Sequence, residues 1–159
     1  MLKVALGSDH HGVEYKAQAI QRLTSLGYQI VDYGPSSSQT SSDYPDFARE
    51  VAAAVSNKTA DRGVLICGSG VGMCITANKF PGVRAAVCDI VECAQLTRRH
   101  NGINVLCLSG TVWKEKDLLP VVEAFLQTDF EGGRHQVRLD KITQIEKSCD
   151  CWAGSDELH

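Results

Sequence analysis

The chain has 159 residues and a formal net charge of −3 at neutral pH, with acidic and basic residues mixed along its length. That length suits one domain able to bury a core without metal or disulfide support, and the charge leaves no footprint for nucleic acid and no polybasic segment for a membrane surface. No apolar run approaches membrane-spanning length and residues 1–9 turn acidic too soon for a secretory signal, so a cytoplasmic protein with a small-molecule partner is expected. Its seven cysteines are odd in number, lie mostly inside apolar runs and form no C-x-x-C pair, which suits reduced thiols better than a disulfide framework or zinc.

Residues 2–7 form a short apolar segment that meets the turn Ser8-Asp9-His10-His11-Gly12. Val13, Ala17, Ile20 and Leu23 then recur at helical spacing until Gly27 stops them. Residues 28–33 read as a second strand, and Gly34-Pro35 with the Ser, Gln and Thr run to Ser42 reads as a loop long enough to be functional. Asp43-Tyr44-Pro45-Asp46 opens a helix whose buried stripe is Phe47, Val51, Ala54 and Val55. The apolar run 63–67 predicts a third strand ending on Cys67. It breaks into Gly68-Ser69-Gly70-Val71-Gly72, and a helix continues through Asn78.

After a turn at 79–82, residues 83–88 read as a fourth strand, with Asp89 available to cap the next helix. That helix carries Arg98, Arg99 and His100 in its last turn, where the dipole favours cations, and Asn101-Gly102 ends it. Residues 103–108 form a fifth strand. Leu118, Val122, Phe125 and Leu126 mark another helix, Gly132-Gly133 breaks it, and 134–147 make the last one, with Arg134, Arg138 and Lys141 on one stripe. Short apolar strands alternating with helices predict an α/β domain, a Rossmann-like doubly wound five-stranded parallel sheet with helices on both faces. Residues 1–147 would form this single domain, and 148–159 a tail that is disordered or docked on a partner subunit.

In such a fold ligands gather beyond the carboxyl ends of the strands. This collects Asp9, His10 and His11, then Cys67 to Gly72, then residues 109–113. His100 and Asn101 sit at a helix C-terminus instead, pointing away from that edge unless another subunit or a tilted loop brings them in. The glycine run alone is a weak signal, because such turns also arise for structural reasons. It lacks the Gly-Lys-Ser/Thr of a P-loop, and Met73 occupies the place where a phosphocysteine loop needs arginine. A dinucleotide fingerprint would follow the first strand, not the third. What remains is a cysteine beside an anion site, able to act as base or nucleophile because a helix N-terminus or nearby cation favours the thiolate. Cys74, Cys88, Cys93 and Cys107 read as small core residues. Arg134 and Arg138 suit either a solvated face or a phosphate.

The set Ser8-Asp9-His10, Asp43-Tyr44-Pro45-Asp46-Phe47-Ala48, Leu65-Ile66-Cys67-Gly68-Ser69-Gly70-Val71-Gly72-Met73, Ala77-Asn78-Lys79, Arg98-Arg99-His100-Asn101 and Gly132-Gly133-Arg134-His135 resembles the ribose 5-phosphate isomerase B family, which includes the galactose 6-phosphate isomerase subunits. The resemblance runs from residue 2 to about 147. It implies a homodimer with sites between subunits and cofactor-free, metal-free interconversion of ribose 5-phosphate and ribulose 5-phosphate in the non-oxidative pentose phosphate branch. By the same resemblance Cys67 is the base, and Asp9 handles protons on the sugar oxygens. Ser69, Gly70, Val71 and Gly72, with Gly68, supply backbone donors to the enediolate. His100 opens the ring, Tyr44 and Asn101 lie near the sugar, and His10, Arg134 and Arg138 bind the phosphate.

Thr111 stands where the family commonly has arginine, which implies weaker phosphate binding unless Lys114 substitutes. Residues Cys149, Cys151 and Trp152 match nothing in the family pattern. A six-carbon phosphosugar (allose or galactose 6-phosphate) and a non-catalytic phosphosugar-binding module remain the alternatives.

Overall fold

The computed structural model describes residues 1–112 and 116–149. The elements alternate as expected: β1 (Lys3–Ser8), α1 (Val13–Ser25), β2 (Gln29–Asp32), α2 (Tyr44–Ser56), β3 (Arg62–Cys67), α3 (Val71–Ala77), β4 (Ala85–Val87), α4 (Val91–Asn101), β5 (Val105–Ser109), α5 (Leu119–Gln127) and α6 (Arg134–Cys149). The strands form one five-stranded sheet in the order β2-β1-β3-β5-β4, and every pairing is parallel. The doubly wound α/β reading therefore holds. The last helix runs on through Cys149; the remaining tail, with Cys151 and Trp152, lies outside the described residues, as do Trp113 and Lys114.

Alternation along the central strands sorts the core into two layers. Val4, Leu6, Val64, Ile66, Leu106 and Leu108 face α1, α4 and α5, where Leu23, Ala94 and Phe125 meet them. Ala5, Leu65, Cys67, Val105 and Cys107 face α2 and α3, meeting Val51, Ala52, Met73 and Ala77. Small residues let α2 approach closely: a Cβ on Gly63 would lie 2.7 Å from Val51 Cγ1, an overlap that normally costs about 1–3 kcal/mol in a packed core. Of the cysteines expected in the core, Cys88 and Cys107 are buried, whereas Cys74 and Cys93 are half-buried at the layer edges.

The edge strands β2 and β4 are shorter than their apolar runs, because only one neighbour supplies ladder bonds. Asp89 does not cap α4. The cap position is Ile90 in extended backbone, and no side chain bonds the first turn. Gly102, by contrast, ends α4 in the left-handed region at φ 54°, as its position suggested.

Beyond the amino-terminal edge of the sheet lies α6. It is tied by Leu139, which packs beside Gly102, and by Glu146, whose Oε1 accepts the N–H of Gly82 at 2.9 Å. Among the described residues no helix is long and apolar enough to cross a membrane.

Candidate active site

The strand order reverses between β1 and β3, opening a crevice at their carboxyl ends. Three turns close on one another there. The N–H of Asp9 donates to Ile66 O at 3.1 Å, that of Gly110 to Cys67 O at 2.8 Å, and that of Thr111 to Gly68 O at 3.1 Å. Ser109 Oγ donates to the same Gly68 carbonyl at 2.7 Å and accepts the N–H of Val112. The floor of the crevice is thus a hydrogen-bonded backbone that keeps the side chains above it in place.

Cys67 ends β3 with 4% exposure, and its Sγ accepts the N–H of Gly70 at 3.2 Å. Gly70 makes that bond from the left-handed region at φ 77°, with the carbonyl of Leu108 behind it, so both the backbone angle and the space require glycine. Ser69 Oγ accepts the N–H of Val71 at 3.3 Å. Two amides of this loop are therefore already committed, one of them to the sulfur itself. Tyr44, at the start of α2, lays its ring against Gly72: a Cβ there would sit 2.6 Å from the tyrosine Cζ.

Asp9 is 5% exposed, with Oδ1 accepting the N–H of His11 at 2.9 Å and Oδ2 lying 3.4 Å from His11 Nδ1. His10 is held by the long loop after β2: its N–H donates to Ser42 Oγ at 3.1 Å and its Nδ1 accepts the N–H of Ser42 at 3.2 Å. The two imidazoles stand 3.9 Å apart. His11, to which the sequence assigns no role beyond its place in the turn, is the residue that orients Asp9. A cavity of about 260 Å³ opens beside this group, lined by His10, His11, Glu14, Ser38, Gly110 and Thr111.

His100, Asn101, Arg134 and Arg138 are not in this crevice. They lie at the opposite edge, where α4 ends and α6 begins. Strands of five or six residues, rising about 3.3 Å each, separate the two edges by roughly 15–20 Å. At that edge the ring of His100 stacks on His135 with centroids 4.3 Å apart and planes 10° from parallel. Glu131 Oε2 lies 3.8 Å from His100 Nε2 and 3.5 Å from His135 Nε2. Arg138 Nη1 lies 3.5 Å from His135 Nδ1. Burial, then the neighbouring His100, Arg134 and Arg138, hold the His135 imidazole below its ordinary pKa, with Glu131 acting the other way. His135 belongs to the Gly132-Gly133-Arg134-His135 motif but carries no role in the sequence reading, and Glu131 has no sequence signal beyond the Gly132-Gly133 break that follows it.

Two groups bring metal-ligand types within 4.8 Å of one another: Asp9, His10 and His11, and His100, Glu131 and His135. In the first, Asp9 Oδ1 and His10 Nδ1 already accept backbone N–H groups. In the second, the two imidazoles are stacked with their planes nearly parallel.

A family model described as Ribose/Galactose Isomerase matches residues 4–142. Ribose-5-phosphate isomerase B of Escherichia coli is 44% identical over 147 residues, covering 92% of this chain and 98% of that protein. Among solved structures, ribose-5-phosphate isomerase B of Clostridium thermocellum superposes with a TM-score of 0.88 at 43% identity, covering 92% of this chain and 99% of the other. That of Mycoplasma genitalium with bound ribulose-5-phosphate gives 0.87 at 42% identity, covering 92% and 97%. The chain belongs to the ribose/galactose isomerase family.

Proposed function

We infer that the chain interconverts ribose 5-phosphate and ribulose 5-phosphate through an enediolate, with Cys67 as the base, in a homodimer whose sites are shared between subunits and use no metal. The observation that carries this reading is the sulfur of Cys67, sequestered at the switch point with the N–H of Gly70 donating to it at 3.2 Å. In the open-chain aldose the thiolate takes the C2 proton while charge moves from the breaking C–H bond onto O1. The N–H groups of Ser69 and Gly72 donate to the enediolate oxygens. The thiol then returns the proton to C1, and Asp9, kept in place by His11, takes the O2 proton and supplies one to O1. Atoms balance without a co-reactant.

What one chain lacks supports the homodimer. His100, which opens the ring, and Arg134 and Arg138, which hold the phosphate, stand too far from Cys67 in the same chain to act with it. Val71 and Ile75 on α3 and Val137, Ile142 and Ile145 on α6 are about half exposed or more, which supports burial of these faces against a second copy. That contact would bring the partner's α4 and α6 ends over Cys67, with the substrate phosphate between His10 and the partner arginines. The same reading places the protein in the cytoplasm and its reaction in the non-oxidative pentose phosphate branch.

An isomerase assay on ribose 5-phosphate with a chelator present tests substrate and metal independence together. Activity that needs added metal, or efficiency higher on allose or galactose 6-phosphate, overturns the respective part. Binding without turnover would make the chain a phosphosugar-binding module. Thr111 lines the cavity beside His10, where its hydroxyl offers the phosphate no charge. Thr111→Arg is therefore expected to lower KM about threefold to tenfold with little change in kcat, as one added fork donor is worth about 1 kcal/mol or more. An unchanged KM removes Thr111 from the phosphate end.

A further inference from the structure

A second concave site lies under α6, at the edge of the sheet away from Cys67. It is a cavity of about 540 Å³ whose wall includes Lys58, Asp61, Arg62, Arg84, Arg98 and Gln136. Arg98 is 4% exposed, and Arg62 and Arg84 are half-buried. Among the described residues no carboxylate lies within ion-pair distance of any of these guanidinium groups.

Carbonyl oxygens take part of their donor capacity. Arg62 Nη1 donates to Asp61 O at 2.8 Å, Arg84 Nε to Gly102 O at 3.0 Å, and Arg98 Nε to Thr128 O at 3.1 Å, with its Nη1 on Ile103 O. Such bonds make the arginines struts between the ends of α4 and the sheet, but carbonyls bring no countercharge. Arg62 Nε is buried without any partner. Burial lowers all three pKa values, Arg98 to about 10, and the neighbouring cations lower those of Arg84 and Arg98 further, while Asp61, Asp129 and Glu146 oppose the fall. Water can satisfy an orphan donor but brings no countercharge, and Asp61, the carboxylate among the described lining residues, already accepts the N–H of Lys3 at 2.7 Å and faces three guanidinium groups and Lys58.

We propose that this cavity binds a small polyvalent oxyanion, a phosphoryl compound or a polycarboxylate, through Arg62, Arg84 and Arg98. The volume suits a small metabolite, and planar guanidinium forks match either kind of oxyanion. Gln136, Leu139 and Thr143 of α6 face the cavity, whereas Arg134 and Arg138 lie on another stripe of the same helix. A bound anion would therefore hold α6 against the body and raise affinity for the substrate phosphate. This last step rests on the reading of Arg134 and Arg138 given above; the binding site does not.

Calorimetric titration of the full chain with pyrophosphate and with citrate tests the site. Binding of one or both is expected, and which one binds assigns the source; no binding of either at about 10 mM overturns the proposal. Arg62→Gln should weaken the binding at least about tenfold while leaving kcat on ribose 5-phosphate within about twofold when no anion is added. Arg138→Gln should bind the anion as the parent chain does. If Arg138→Gln loses it and Arg62→Gln retains it, the anion occupies the substrate phosphate site and the cavity is not a site. Should Arg62→Gln fail to fold, Arg62→Lys carries the test. It keeps the charge without the fork, so at least about threefold weaker binding is expected and equal binding is the overturning result.

Discussion

Cys67→Ala is expected to lower kcat for ribose 5-phosphate isomerisation about a thousandfold, within the range that a positioned general base contributes, while KM stays within about threefold. The change removes a single sulfur atom from a buried position of the α2 and α3 layer, so the variant should fold with a loss of about 1 kcal/mol, visible as a modest fall in Tm. The N–H of Gly70, which now points at sulfur, would be left for water. The chemistry, in contrast, loses the only thiol that the described residues bring to the crevice, because the neighbouring cysteines are differently employed. Cys107 is buried in the α2 and α3 layer, where its hydrogen bond with Cys74 and burial push its pKa up. Cys74 is pulled down to about 7, chiefly by that same bond, but its sulfur donates to Ala85 O at 3.4 Å on the far side of α3. A second readout separates the roles: substrate deuterated at C2 should show no transfer of label to C1 in the variant. Retention of activity within about tenfold would move the base to another group, with Asp9 the next to examine.

Much of this arrangement is legible in the sequence because it depends on local rules. Apolar runs interrupted at Gly7-Ser8, Cys67-Gly68 and Ser109-Gly110 mark the strand ends, and in a parallel sheet those ends share one edge. Gly27 and Gly102 stop helices from the left-handed region, a property of glycine that needs no tertiary knowledge. The cap of α4 could not be read so simply. Asp89 has the right chemistry, but the helix begins after Ile90, one residue later than its side chain could serve.

Non-local pairings were the least legible. Which histidine of His10-His11 turns toward Asp9 depends on the Ser42 loop capturing the other one, across 32 positions. The stacking of His100 on His135 requires α6 to fold back against the end of α4. Arg62, Arg84 and Arg98 lie on a strand, a turn and a helix with no common motif, and only the crossing order of the sheet gathers them around one cavity. Conversely, the sequence placed His100 and Asn101 at the wrong edge for a one-chain site, and the structure keeps them there.

That separation leads to the other large expected effect. His100→Ala alone should lower turnover at least about a hundredfold, since ring opening by a positioned acid or base is lost. Mixed with Cys67→Ala and allowed to exchange subunits, however, it should recover activity that neither protein has alone. If Cys67 and His100 of a given site come from different chains, as proposed, each mixed dimer carries one site with both defects and one with neither. In an equal, randomly paired mixture half the dimers are mixed and half their sites are intact, so about a quarter of parent activity is expected. The measurement is an assay before and after exchange, with sedimentation establishing that dimers persist. A one-chain site predicts no recovery at any mixing ratio. Mixed dimers that form without recovery would mean that His100 serves the catalytic edge of its own chain through a large movement of α4. The 10° stack on His135 and the bond from Arg98 to Thr128 O, which anchor that end of α4, stand against the movement.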